Sequence, residues 1–128
     1  MLMSKKILVV EDEIVLLEAY DMVLRAAGYE VTLAHDGQEA LDITSKYEPD
    51  LILLDLRMPK MSGIEFLKHY YKQAKHPKVK IVVFSNLDAD NEIQEAYELG
   101  AEKYVLKAWA SPRELTKMVR DMLITEKN

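Results

Sequence analysis

The apolar residues of this chain fall into two rhythms that alternate from end to end. Ile7–Val10, Leu51–Leu54 and Ile81–Phe84 are unbroken apolar runs. They are too short for buried helices, and they read as strands covered on both faces. Val31–Ala34 and Lys103–Lys107 complete a set of five. Helical spacing fills the intervals. Leu17, Tyr20, Leu24 and Ala27 share one face, and Gly28 is placed as a left-handed cap. Asp36-Gly37-Gln38-Glu39 has capping-box spacing ahead of Ala40, Leu41 and Ile43, and Pro49 bars that helix from continuing. Ser62-Gly63-Ile64-Glu65 opens a helix with Ile64, Leu67 and Tyr71 on its apolar face, which Pro77 ends. The helix from about Asp90 to Leu99 is the least amphipathic, with Ile93, Ala96 and Tyr97 among many acids, and Gly100 closes it. Ser111-Pro112-Arg113-Glu114 joins a capping box to proline at the first helical position. Leu115, Met118, Val119, Met122 and Leu123 form the buried stripe behind it.

Strict alternation of five strands and five helices predicts an α/β fold, with right-handed crossovers and helices on both faces of one parallel sheet. The natural order for five strands is 2-1-3-4-5, the flavodoxin-like arrangement, whose ligand crevice opens at the carboxyl ends of strands one and three. A chain of 128 residues suffices for one core and not for two, so residues 1–128 are expected to form a single domain.

Composition narrows the classes. The formal net charge is -5, which disfavours nucleic acid and anionic membranes as direct partners. There are no cysteines, so disulfides, thiolate metal sites and cysteine nucleophiles are excluded. The first apolar run is too short for a signal-peptide core or a membrane span, and a cytoplasmic protein is expected.

Polar residues then converge where the predicted strands end. Glu11 and Asp12 follow strand one, Asp55 ends strand three, Ser85 ends strand four and Lys107 ends strand five. Singly, each has a plain explanation: acids suit a helix start, Asp55 and Ser85 can serve as cap or turn residues, and a lysine can snorkel. Together they require four coincidences at one sheet edge. Crowded carboxylates repel, and a hard divalent cation such as Mg²⁺ removes the conflict. A carboxylate, such an ion, a lysine and a hydroxyl suit phosphoryl transfer, where catalysis is mostly positioning and charge neutralisation.

At these positions the chain resembles the response-regulator receiver domain of two-component signalling, and the chemotaxis-regulator type in particular. The resemblance rests on Val9-Val10-Glu11-Asp12-Glu13, Asp55-Leu56-Arg57-Met58-Pro59 with Gly63, Phe84-Ser85, and Gly100-Ala101 with Tyr104 and Lys107. It spans Lys6 to about Thr125. It implies that Asp55 accepts a phosphoryl group from a sensor histidine kinase or phosphotransfer protein. Glu11, Asp12 and Asp55 are implied to hold Mg²⁺ with the Arg57 carbonyl, Asp12 directly and Glu11 through water. Lys107 and Ser85 would bind the phosphoryl oxygens. Ser85 and Tyr104 would form the switch that alters the face made by the fourth predicted helix, the fifth strand and the fifth helix. A downstream protein or output domain would read that face, and phosphorylation-dependent dimerisation through it is a further expectation. On this reading the protein is not an enzyme beyond its own phosphorylation and dephosphorylation, and it has no organic cofactor.

Two positions depart from the family pattern. Ala108 follows Lys107 where the family usually has a proline on a cis bond, so the bond is either trans, with Lys107 aimed differently, or cis at a cost of roughly 2.5–4 kcal/mol. Asn86 stands where a small residue is usual, which bears on phosphoryl lifetime. Three alternatives stand beside the resemblance. A Mg²⁺-dependent aspartyl-phosphate phosphatase of the haloacid dehalogenase type needs a second acid where Arg57 stands. An FMN binder needs a glycine- and hydroxyl-rich loop where Glu11-Asp12-Glu13 stands. A receiver-like module that is not phosphorylated retains the fold alone. His35, His69 and His76 read as surface residues. Lys68, Lys72, Lys75, Lys78 and Lys80 read as a solvated face, and the acids from Asp88 to Glu102 fit solubility and the steering of a basic partner equally well. The methionines read as core filler, and Trp109 as an optical probe beside the site.

Overall fold

The structure is a computed structural model that describes residues 4–86 and 90–124. Five parallel strands, β1 (Lys6–Val10), β2 (Glu30–Ala34), β3 (Leu51–Asp55), β4 (Lys80–Ser85) and β5 (Lys103–Leu106), pair in the order β2-β1-β3-β4-β5. The expected fold class is therefore the observed one. The helices are α1 (Ile14–Ala26), α2 (Gly37–Thr44), α3 (Gly63–Tyr70), α4 (Lys72–Lys75), α5 (Asp90–Glu98) and α6 (Pro112–Ile124), with a 3₁₀ turn at Lys107–Trp109.

Period-two alternation in the strands builds two cores. Leu8, Val10, Ile52, Leu54, Ile81 and Val83 face Ile64, Phe66, Leu67, Tyr70 and Ala96. Their neighbours Ile7, Val9, Leu51, Leu53, Val82 and Phe84 face Leu17, Tyr20, Leu24, Leu115, Val119 and Leu123. Each such side chain stabilises the fold by roughly 1.5–3 kcal/mol. The register then decides where the polar residues go. Val10 lies opposite Ala34 and Leu54, Asp55 opposite Phe84, and Ser85 opposite Leu106. Along this register Glu11 and Asp55 lie level, Ser85 one residue further and Lys107 two, all on a single sheet edge.

Several local expectations need correction. Tyr71 does not join the buried face of α3; it is 56% exposed, and Tyr70 is buried instead. The cause is backbone: Tyr71 adopts the left-handed region (φ 53), which ends α3 and starts the extra one-turn helix α4 before Pro77. Ala27 is the exposed C-cap of α1, because the chain turns there into Gly28 at φ 99. Tyr97 is 42% exposed. Lys107 is not the end of β5 but opens the 3₁₀ turn. The capping boxes at Ser62/Glu65 and Ser111/Glu114 are complete. At Asp36 only half the box forms: Asp36 caps Glu39 N, while Glu39 Oε1 accepts from His35 N.

The lysine cluster is partly knitted in rather than wholly solvated. Lys68 pairs with Glu95, and Lys72 and Lys80 both pair with Glu102. Lys72 is itself buried. His35 and His69 are exposed, whereas His76 stacks on Tyr70 at 4.1 Å and meets Glu48 at 2.8 Å. Met22 is 70% exposed, and Met58, Met61, Met118 and Met122 pack at the core margins. The Trp109 side chain and the side chains of Asp88 and Asp90 lie outside the described residues. Among the described residues, no helix is long and apolar enough to cross a membrane.

Gly63 shows how tightly the loop after β3 is folded back. A Cβ there would lie 2.5 Å from the Asp55 carbonyl oxygen and 2.8 Å from Leu56 Cα. Both are backbone atoms that cannot rotate away. Gly63→Ala is therefore expected to destabilise the domain by roughly 1–3 kcal/mol, read as a lower urea midpoint with an unchanged denaturant slope. An unaltered midpoint would show that the loop relaxes freely.

Candidate functional site

At the carboxyl edge of the sheet an open cleft of about 380 Å³ is lined by Asp12, Glu13, Asp55, Arg57, Ser85, Asn86 and Lys107. β3 delivers Asp55 as its last residue, because four aliphatic neighbours carry the chain through the core up to the edge. The carboxylate is 2% exposed as a residue. Its Oδ1 accepts from Arg57 N at 3.1 Å, and its Oδ2 accepts from Lys107 Nζ at 2.9 Å. Glu11, directly after β1, is fully buried, and its Oε2 accepts from Glu13 N at 3.0 Å. Lys107 Nζ approaches Glu11 Oε1 at 2.8 Å. That oxygen has no hydrogen-bond partner, so the contact is an ion pair formed off the hydrogen-bonding angle.

No peptide bond among the described residues is cis, so the Lys107–Ala108 bond is trans. The lysine nonetheless reaches the acids, because the 3₁₀ turn redirects the chain at Lys107. The ammonium also lies 5.5 Å from the centroid of the Phe84 ring, a cation–π distance. Phe84 is held edge-on by buried Tyr20 at 5.6 Å. Ser85 is buried beside the cleft. Tyr104 is not among the cleft residues; it packs half-buried against the core on the α3 and α5 side.

Burial sets the electrostatics of the pocket. Desolvation raises Glu11 to about 7, although Lys107 and the Glu13 amide pull the other way and Asp55 pushes further up. Burial likewise raises Asp55, again against Lys107 and the Arg57 amide. For Lys107 burial works against the charged form, but its close contacts with Glu11 and Asp55 and their charges outweigh it and push the ammonium upward. Tyr20 is pushed up to about 12 by burial and by the Glu11 charge. One ammonium thus does not fully compensate the carboxylates around it. Single oxygens of Glu11, Asp12 and Asp55 lie within 4.8 Å of one another. An excess of buried anionic oxygen over positive charge fits a hard divalent cation with oxygen ligands.

Of the site residues predicted from the sequence, Glu11, Asp12, Asp55, Arg57, Ser85 and Lys107 come together at this edge, and Tyr104 does not. Glu13 and Phe84 have no predicted role. Glu13 Oε1 lies 3.0 Å from Lys107 Nζ, and Phe84 lies under the lysine. The Arg57 side chain turns away to Glu92 of α5, with NH2 to Oε2 at 3.2 Å and Nε to Oε1 at 3.3 Å.

Residues 7–120 match the response regulator receiver domain family. The chain belongs to that family and has the receiver fold of two-component response regulators. It is 38% identical over 123 residues to the alkaline phosphatase synthesis transcriptional regulatory protein PhoP of Bacillus subtilis (strain 168), an alignment covering 94% of this chain and 49% of that protein. The chain spans about half the length of the curated relatives it matches. Among solved structures it is similar to a CheY-like receiver domain protein from Methanospirillum hungatei JF-1, with a TM-score of 0.89, 26% identity and 98% of each chain covered. It is also similar to the chemotaxis protein CheY4 of Vibrio cholerae, with a TM-score of 0.84 and 32% identity, covering 93% of this chain and 98% of that one.

The raised Glu11 carboxyl has a measurable cost. Above pH 7 the folded state holds Glu11 charged in a place that disfavours charge; below about 4.5 it is protonated whether folded or not. In metal-free buffer Glu11→Gln is therefore expected to raise the unfolding free energy at pH 8 by on the order of 1–3 kcal/mol. The gain should shrink as pH falls through 7 toward 4.5. A gain that does not vary with pH, followed by urea unfolding, would remove Glu11 as its source.

Proposed function

We propose that this chain is a phosphoaccepting receiver of a two-component phosphorelay, with Asp55 as the acceptor. The observation that carries this reading is the Asp55 carboxylate, buried at the end of β3 yet lining an open cleft, with Lys107 Nζ 2.9 Å from one oxygen. A carboxylate so held is preorganised as a nucleophile, and it sits beside the cation that an arriving phosphoryl group needs. In transfer from a phosphohistidine, an Asp55 oxygen forms a bond to phosphorus as the phosphorus–nitrogen bond breaks, and the imidazole departs with that electron pair. Lys107 then pairs with phosphoryl oxygens, and the Ser85 hydroxyl donates to them.

Asp12 and Asp55, with the Arg57 carbonyl, would hold Mg²⁺, which when bound supplies charge neutralisation to the phosphoryl oxygens. Asp12 lines the cleft and Glu11 does not, which suits Asp12 as direct ligand and Glu11 acting through water. Ser85 and Tyr104 are assigned to the switch, because Ser85 lies at the cleft and Tyr104 on the adjoining strand packs against the α5 side. The face read by a partner is then α5–β5–α6. The donor is a sensor histidine kinase or phosphotransfer protein, and the reader is a downstream protein or output domain; the relatives that are transcriptional regulators support an output of that kind. On this reading the chain catalyses only its own phosphorylation and dephosphorylation. The phosphatase alternative is disfavoured, because the position of its second acid carries Arg57, which is engaged by Glu92.

Intact mass after incubation with acetyl phosphate and Mg²⁺ tests the assignment. The expected result is a labile gain of one phosphoryl group, dependent on Mg²⁺ and absent in Asp55→Asn. No gain in protein shown separately to bind Mg²⁺, and none with a histidine-phosphorylated donor, would instead favour a receiver-like interaction module that is not phosphorylated.

A further inference from the structure

The Lys107 ammonium has three protons and meets three carboxylates: Glu11 at 2.8 Å, Asp55 at 2.9 Å and Glu13 at 3.0 Å. Its side chain is only 7% exposed, so water offers it little else. The three partners are not alike. The Glu11 and Asp55 side chains are 0% and 3% exposed, whereas that of Glu13 is 59% exposed. Glu13 is also the N-cap residue of α1, yet its side chain makes no capping hydrogen bond. An acid at a helix start would ordinarily turn back to the free amides. Here it reaches across 94 residues of sequence to donor Lys107 instead.

A phosphoryl group on Asp55 needs Lys107, and the ammonium is already hydrogen-bonded to Asp55 and Glu13 and ion-paired to Glu11. Resting on the assignment of Asp55 as phosphoacceptor, we propose that Glu13 is the displaceable partner that holds Lys107 in the unphosphorylated protein, and that its release sets the rate of phosphoryl uptake. Glu11 and Asp55 are walled in by the core and cannot retreat. Glu13 sits at the mouth with solvent behind it, so it alone can swing out as phosphoryl oxygens take its place on Nζ. Glu13 is thus a positioning residue, acting through the lysine.

Two variants separate this holding contact from mere charge at the mouth. Glu13→Gln keeps the length and loses the charge; Glu13→Asp keeps the charge and is one methylene short of the lysine. Phosphoryl uptake is followed by intact mass with acetyl phosphate and Mg²⁺; the Asp55 oxygen–phosphorus bond forms as the acetyl oxygen–phosphorus bond breaks and acetate leaves. Both variants are expected to take up the group about two- to fivefold faster than wild type, the range for loss of one part-exposed ion pair. Hydrogen exchange of the Lys107 ammonium, followed by ¹⁵N NMR without donor or metal, is expected to speed up in both.

Acceleration in Glu13→Gln alone would overturn the proposal, since only mouth charge would then matter. Unchanged rates in both variants, with wild type labelled normally on Asp55, would overturn it while leaving Asp55 as acceptor. Labelling of the variants but not of wild type would support it in its strongest form. No labelling of any form would remove the acceptor assignment, and the proposal with it.

Discussion

The pocket depends on one cation shared among anions that the core has forced together. Strand pairing fixes the carboxyl ends of β1 and β3 side by side, so Glu11 and Asp55 have no freedom to separate. Without Lys107 they would be buried like charges, each of which costs several kcal/mol or is neutralised by protonation. Lys107 arrives from β5, two strands away from β3, and spans the gap across the Phe84 ring. The sheet edge is therefore held by a contact whose partners are far apart in sequence. The compensation is incomplete, and the residual anionic character leaves room for further positive charge.

That incompleteness separates a functional pocket from a structural ion pair. The Lys72–Glu102–Lys80 group at the other end of the sheet is also partly buried, but there two cations meet one acid at the domain margin. At the cleft, burial raises both Glu11 and Asp55 against the pull of the lysine. Stability is given up where like charges are gathered out of water.

The architecture was legible in the chain because its signals are local and redundant. Four-residue apolar runs allow only covered strands, and complete capping boxes at Ser62 and Ser111 mark helix starts with side-chain chemistry. The site was legible because strand ends can be counted once the topology is known. Side-chain choice among competing partners was not legible. Nothing in the residues around Glu13 says that it will prefer a lysine near the opposite end of the chain to the amides of its own helix. Nor does helical spacing reveal that Tyr71 will leave α3 in a left-handed conformation and pass its buried place to Tyr70. The trans Lys107–Ala108 bond is a third case. The identity of residue 108 leaves the aim of the lysine open, and the 3₁₀ turn that restores it appears only in three dimensions.

The two ends of the sheet are fastened very differently. At the amino edge, Lys6 N binds Asp50, Lys80 N binds the Asp50 carbonyl, Glu102 clasps two lysines and His76 locks onto Glu48. These ties are numerous and join every loop to its neighbour. The carboxyl edge has backbone ties of its own, Glu11 N to the Ala34 carbonyl, Gly37 N to the Met61 carbonyl and Leu56 N to the Phe84 carbonyl, but its side-chain ties centre on Lys107 and the Arg57–Glu92 fork. That fork fastens α5 to the loop directly after Asp55, so a shift of the loop reaches α5 through a single partly exposed side-chain contact.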